Sequence, residues 1–255
     1  MVERKIGIMG AMPEEIDGVV QLLENKQETS LGRRIYYTGS IYGIDTVVVF
    51  SRWGKVAAAA TATSLILEFG ITEIIFTGVA GAIDQTLNIG DIVIGRRLIQ
   101  HDMDARPLMP QFEIPLLGKT FFETSEAAIT KASHAVKELI ENDHLQTAIG
   151  TETLRQFGIN APKLLAGDIA SGDKFFSNNA DKESLVSSIP SALCVEMEGA
   201  AVAQVCYEYD IPFTIIRTIS DTANERSVID FPLFIKNISS KYSVEIIRNI
   251  YRQFV

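Results

Sequence analysis

The chain has 255 residues, is 47% hydrophobic and carries a formal net charge of −9. That is enough apolar material for one large globular domain over residues 1–255, or at most two small ones, and the acidic balance argues against nucleic acid or an anionic membrane surface as the main partner. Two cysteines, Cys194 and Cys206, provide neither a disulfide framework nor a zinc spacing, and no run of about 18 apolar residues marks a membrane span or signal core, so a soluble cytoplasmic protein is expected.

Residues 5–9 predict a short apolar strand that runs into Gly10-Ala11-Met12-Pro13-Glu14-Glu15, with Pro13 suited to the first turn of a helix. That helix carries Ile16, Val19, Val20, Leu22 and Leu23 on one side. Residues 34–41 and 44–50 predict strands around Gly43, a hairpin signal. After the loop Ser51-Arg52-Trp53-Gly54-Lys55 comes an alanine-rich helix over 56–69, able to pack closely on a sheet. Residues 73–76 form a buried-type strand ending in Thr77-Gly78-Val79-Ala80-Gly81, and residues 92–99 another that delivers His101-Asp102-Met103-Asp104. Residues 105–123 are rich in proline and aromatics and predict a long loop, a kind of segment that is usually functional or held against a partner. A helix over 124–141 follows; residues 147–151 predict a strand within an excursion over 145–163. Residues 163–170 form a strand ending at Ser171-Gly172-Asp173-Lys174-Phe175-Phe176, and a helix lies around 180–187. Residues 192–195 and 213–219 are strands separated by a small-residue helix, and residues 231–254 form a last amphipathic helix. Strands alternate with helices throughout, so the class is α/β with a parallel or mixed sheet.

Apolar strands in such a sheet are buried on both faces, and ligands gather beyond their carboxyl ends. The predicted strand ends converge on Glu15, Gly78–Gly81, Phe175-Phe176, Glu198 and Asp221. Acids accept hydrogen bonds from sugar hydroxyls and ring N–H groups, and aromatics stack a ring. Carboxyl groups that must hold different protonation states at one site are the pattern of glycosidic cleavage. Taken singly, Glu196 and Glu198 read as caps of the helix that follows them, and Asp221 as the cap of a turn. Gly78-Val79-Ala80-Gly81 is not a dinucleotide fingerprint, and neither a G-x-x-x-x-G-K-[ST] phosphate loop nor a G-x-S-x-G elbow is present. His101-Asp102-Met103-Asp104 has no matching second cluster, so His101 beside Asp102 reads as a hydrogen-bonded structural pair rather than a metal site.

The segments G-I-M-G-A-M-P-E-E, S-R-W-G-K-V-A-A-A, T-G-V-A-G, I-G-D-I-V, S-G-D-K-F, V-E-M-E-G-A-A-V-A-Q-V-C and I-R-T-I-S-D occur in this order over nearly the whole chain. Together they resemble the bacterial 5′-methylthioadenosine/S-adenosylhomocysteine nucleosidases of the nucleoside phosphorylase superfamily. The resemblance implies a three-layer α/β/α sandwich around a twisted mixed sheet, assembled as a homodimer, acting on a small purine nucleoside with water as nucleophile and without metal or organic cofactor. By position, Glu15 matches the base that activates water, Asp221 the acid that protonates purine N7, and Glu198 the carboxylate on the ribose hydroxyls. Met197 lies along the ribose; the backbone at Phe176 reads the adenine edge while Phe175 stacks on the ring; Phe231 flanks the 5′-thio substituent. Met12, Val79, Gly81 and Ser220 belong to the matching pocket segments, Val79 in place of a common serine and Trp53 in place of a small aliphatic residue. Residues 105–123 depart from the family's usual loop, and residues 145–166 look like an insertion. Phosphorylases of this superfamily carry arginines where this chain has Phe76 and the Met12–Glu15 loop, which favours water over phosphate; Arg217, in mid-strand, reads as a structural ion-pair partner. Related 6-amino purine nucleosides such as aminofutalosine or 5′-deoxyadenosine are alternative substrates, and a non-catalytic nucleoside-binding protein is the alternative of another class.

Overall fold

A computed structural model of the chain describes residues 3–141, 143–221 and 231–254. In chain order, β1 (Lys5–Gly10) and α1 (Pro13–Val20) precede a meander of β2 (Glu24–Leu31), β3 (Arg34–Ile41) and β4 (Ile44–Phe50). Next come α2 (Lys55–Leu67), β5 (Glu73–Ala82), β6 (Ile92–Gln100), β7 (Phe122–Glu123), α3 (Glu126–Ile140), α4 (His144–Ile149) and α5 (Thr151–Gln156). The chain continues with β8 (Leu164–Ser171), α6 (Asn179–Ser188), β9 (Ala192–Glu196), α7 (Gly199–Glu208) and β10 (Phe213–Asp221). The last helical stretch is α8 (Phe231–Phe234), a π-helical turn (Ile235–Ser239) and α9 (Ser240–Arg252).

The strands form one mixed sheet, running β2-β3-β4-β1-β5 and then from β5 through β10, β6, β8 and β9. β9 returns to β5 by antiparallel pairing of Gly81 with Val195 and Ala82 with Cys194, closing that half of the sheet into a ring. β5 is the seam: residues 73–76 pair with β1, residues 74–81 with β10, and its last two residues with β9. β1, β5 and β10 are mutually parallel, and β9 meets β5 end to end, so the carboxyl ends of all four arrive together.

Strand periodicity builds the two outer layers. Val47, Val49, Phe76 and Ile215 face α2 and α7, whereas Val48, Ile75 and Ile216 face α1, α3 and α9. Alanines 58, 62, 200 and 203 let α2 and α7 approach the sheet and each other closely. The result is the three-layer α/β/α sandwich around a mixed sheet. Among the described residues, no helix is long and apolar enough to cross a membrane.

Two local expectations are corrected, and one element is added. Residues 147–151 are not a strand: they straddle α4 and α5, because Leu145 and Ile149, four apart, bury one helical face with Leu154, which outweighs the β-preference of threonine and isoleucine. The polar run Glu24–Leu31, for which the sequence predicted no element, is a strand, almost wholly exposed and held by backbone pairing to β3, with no side-chain alternation to announce it. β5 does not stop at Phe76 but runs through the glycine segment to Ala82.

Candidate active site

The first acid is positioned by a helix start. Pro13 opens α1, and Glu15, two residues on, folds its carboxylate back over the entry: Oε2 accepts the N–H groups of Ala11 at 2.6 Å and Met12 at 3.1 Å. Glu15 is 1% exposed. Burial pushes its pKa from 4.5 to about 7, against the opposing pull of Arg217 and the N–H dipoles of Ala11, Met12 and, at longer reach, Val79. Oε1 lies buried against Gly78 and accepts no hydrogen bond among the described residues; a Cβ on Gly78 would come within 3.0 Å of it.

The two acids at the end of β9 separate into two roles. Glu196 turns inward: its oxygens accept Gly199 N–H at 2.9 and 2.8 Å and Glu198 N–H at 3.2 Å, capping α7. It also takes the Ser171 hydroxyl and a two-pronged ion pair from Arg217, at 3.1 and 2.6 Å. Arg217 is buried with it, its guanidinium 4.2 Å from the centre of the Phe76 ring and its Nη1 donating to the Phe76 carbonyl at 3.3 Å. This is the structural ion pair expected of Arg217. Glu198 occupies the position just before α7 and points the other way, where Oε1 accepts Gly54 N–H at 2.8 Å. Burial raises the pKa of Glu198, the charges of Glu196 and Glu15 adding to the effect and Arg217 and the Gly54 N–H opposing it.

Asp221 ends β10 one step past a bulge. Ile219 pairs with Ala80 and Asp221 with Gly81, leaving Ser220 as the extra residue, and the Ser220 hydroxyl donates to Asp221 Oδ2 at 2.8 Å. Asp221 is 5% exposed.

These groups line one cavity of about 570 Å³, together with Met12, Trp53, Val79, Gly81, Met197, Ser220, Phe175 and Phe231. Phe175 meets Phe231 edge-on at 6.3 Å, forming an aromatic wall. Phe176 is turned away from this space, packed edge-on against His101 at 5.3 Å, and borders a small adjoining cavity of about 260 Å³ shared with Gly81, Met197 and Asp221. On the other side, Met12, Trp53 and Phe231 continue into a wider chamber of about 1130 Å³ bounded by Phe50, Pro232 and Ile235, with Glu14 and Arg52 at its edge. Among the described residues, four carboxyl groups border the main cavity and one guanidinium does, and that one is committed to Glu196, so none of them offers a phosphate dianion a free cation.

Sequence reasoning placed Gly78 at the converging strand ends but did not single out the amide of Gly54, a glycine that takes φ +92° between Trp53 and Lys55. The reading of His101 and Asp102 as a hydrogen-bonded pair is corrected: Asp102 binds Lys55 Nζ at 2.5 Å and the Asp173 N–H at 2.9 Å, while His101 Nε2 is buried without a hydrogen-bond partner among the described residues. No group of three or more His, Cys, Asp or Glu side chains among the described residues is arranged to hold a metal ion.

Comparison with known proteins places this geometry in context. A family model described as the Phosphorylase superfamily matches residues 5–250. An aminodeoxyfutalosine nucleosidase of Helicobacter pylori is 34% identical over 252 residues, 97% of each chain. A 5′-methylthioadenosine/S-adenosylhomocysteine nucleosidase of Staphylococcus aureus is 33% identical over 243 residues, 94% of this chain and 97% of the relative. Among solved structures, the S-adenosylhomocysteine nucleosidase of Streptococcus pyogenes, in complex with a methylthio nucleoside analogue, superimposes with a TM-score of 0.85 at 29% identity, covering 100% of this chain and 99% of the other.

Proposed function

The chain belongs to the phosphorylase superfamily and is an N-glycosyl hydrolase, and we propose that it cleaves 5′-methylthioadenosine and S-adenosylhomocysteine to adenine and the 5-thioribose product. The observation that carries this reading is the meeting of Glu15, Glu198 and Asp221, from three separate strand ends, around one cavity with an aromatic wall.

In this reading the nucleoside lies with its base between Phe175 and Asp221 and its ribose over Met197 and Glu198. Water attacks C1′ as the C1′–N9 bond breaks; the water proton passes to Glu15 and the Asp221 proton to N7, so adenine leaves neutral. A base with a pKa of about 7 matches neutral-pH proton transfer, strong enough to take the proton yet largely ionised above that pH. Positive charge developing on the sugar is stabilised by the Glu198 carboxylate, itself buried, where electrostatic effects are stronger than in water. The Phe176 backbone would read the adenine edge from the smaller cavity. Met12, Trp53 and Phe231 would flank the 5′ substituent, which would extend toward the wider chamber.

The test is Asp221→Asn. It should abolish turnover, by about 10²–10⁴-fold, with a modest loss of nucleoside affinity; normal turnover would remove Asp221 as the acid. A second reading, aminodeoxyfutalosine hydrolysis, is favoured by the identity to the Helicobacter pylori relative, and competing kcat/KM values for the two nucleosides decide between them. We also infer a homodimer: Val56, Leu67, Leu108 and Leu116 are large apolar side chains left exposed on α2 and the 105–123 loop. Two buried unpaired thiols fit a reducing, cytoplasmic setting, and the products fit nucleoside catabolism and methionine salvage.

A further inference from the structure

The turn that supports Glu198 is itself held from outside the cavity. Gly54 donates its N–H to Glu198, and the next N–H, that of Lys55, goes to Asp173 Oδ1 at 2.7 Å. The Asp173 carboxylate is packed directly on this turn: a Cβ at Gly54 would lie 2.9 Å from its Oδ1. Asp173 N–H donates in turn to Asp102 Oδ2 at 2.9 Å, while Asp102 Oδ1 binds Lys55 Nζ at 2.5 Å. Lys55 Nζ also donates to Gln100 Oε1 at 3.1 Å. The contacts close a ring through the turn before α2, the segment after β6 and the loop after β8. Asp173 lies two residues before Phe175, so one carboxylate joins the support of Glu198 to the aromatic wall.

We propose that Asp173, with Lys55 and Asp102, is a positioning clamp that seats the Gly54 N–H on Glu198 and sets the spacing between that carboxylate and the aromatic wall. The proposal rests on the reading of Glu198 as the ribose ligand. The Lys55–Asp102 pair, with side chains 16% and 30% exposed, is partly buried, and its consequence for Glu198 is the geometry it fixes. The charged form of Glu198 is opposed by burial and by Glu196 and Glu15, and supported by Arg217 and the Gly54 N–H. Releasing Gly54 removes one of those supports, so Glu198 ionises at higher pH.

The experiment is kcat/KM against pH for the full-length protein and its Asp173→Ala and Asp173→Asn variants. Both exchanges remove the same charge, but asparagine keeps an oxygen to accept the Lys55 N–H. Asp173→Ala should move the acidic limb to higher pH and lower kcat/KM there by about ten- to a hundredfold, the deficit shrinking as pH rises. Asp173→Asn should recover most of that loss. Asp102→Ala, which leaves Asp173 in place but removes the acceptor of its N–H, should move the limb in the same direction and serves if Asp173→Ala does not fold. Glu198→Gln is measured alongside. An inactive Glu198→Gln together with unshifted limbs and rates within about twofold of wild type in the clamp variants overturns the clamp alone. A fully active Glu198→Gln overturns the ribose reading, and the clamp with it.

Discussion

Exchanging Glu15 for glutamine removes a carboxyl group that is 1% exposed and whose pKa burial raises from 4.5 to about 7. A carboxyl group with a raised folded-state pKa binds protons more tightly in the native than in the unfolded chain. It therefore lowers stability as pH rises from the unfolded pKa through the folded one. The difference of 7 − 4.5 units, at about 1.4 kcal/mol each, is a stability cost of about 3 kcal/mol, absent below pH 4.5 and fully present above about pH 7. Glutamine keeps an oxygen for the Ala11 and Met12 N–H groups but places an NH₂ where Oε1 now has no partner, at a cost of about 1 kcal/mol. Glu15→Gln should then gain about 2 kcal/mol over wild type at alkaline pH, seen as about 4–8 °C in Tm, and should lose that gain on acidification. Urea unfolding at a series of pH values, with adenine release measured on the same samples, checks both halves: higher stability and lost turnover. A variant whose deficit or gain does not change between pH 4 and pH 9 would refute the burial argument, since a purely steric effect has no titration.

Other outcomes follow from the same geometry. Arg217→Met strands Glu196 as a buried charge and should destabilise the protein by about 3–5 kcal/mol in denaturant unfolding; a loss below about 1 kcal/mol would mean the pair is not what holds Glu196. Gly78→Ala puts a methyl group 3.0 Å from Glu15 Oε1 and 3.3 Å from Arg217 Nη1, and should lower kcat about tenfold or more with a smaller change in KM. Sedimentation at micromolar concentration should show a dimer; monomer alone would leave the exposed leucines of the 105–123 loop without the proposed partner.

What was legible in the sequence was whatever the main chain declares locally. The strands β1, β5 and β10 announce themselves as predominantly apolar runs because both of their faces are covered, and the acids beyond their ends follow from that topology. Glu15 and Asp221 were readable for this reason, each sitting at a helix start or strand end. The division of labour between Glu196 and Glu198 came only from the family resemblance and not from local pattern, since it depends on Arg217 from β10 on one side and Gly54 from another loop on the other. The same holds for Asp102, whose partners Lys55 and Asp173 lie 47 and 71 residues away, so its sequence neighbour His101 was a misleading guide. Helices α4 and α5 were hidden by their β-branched residues, and the burial of Leu145, Ile149 and Leu154 that overrides that preference is decided only by the tertiary fold.

The central claim is that water, and not phosphate, takes the sugar. Its most direct measurement is adenine release from 5′-methylthioadenosine by the wild-type protein, in chelator-treated buffer, with and without inorganic phosphate. The account predicts release at the same rate in both, with free 5-methylthioribose as the sugar product. Release that requires phosphate and yields the sugar 1-phosphate would contradict it.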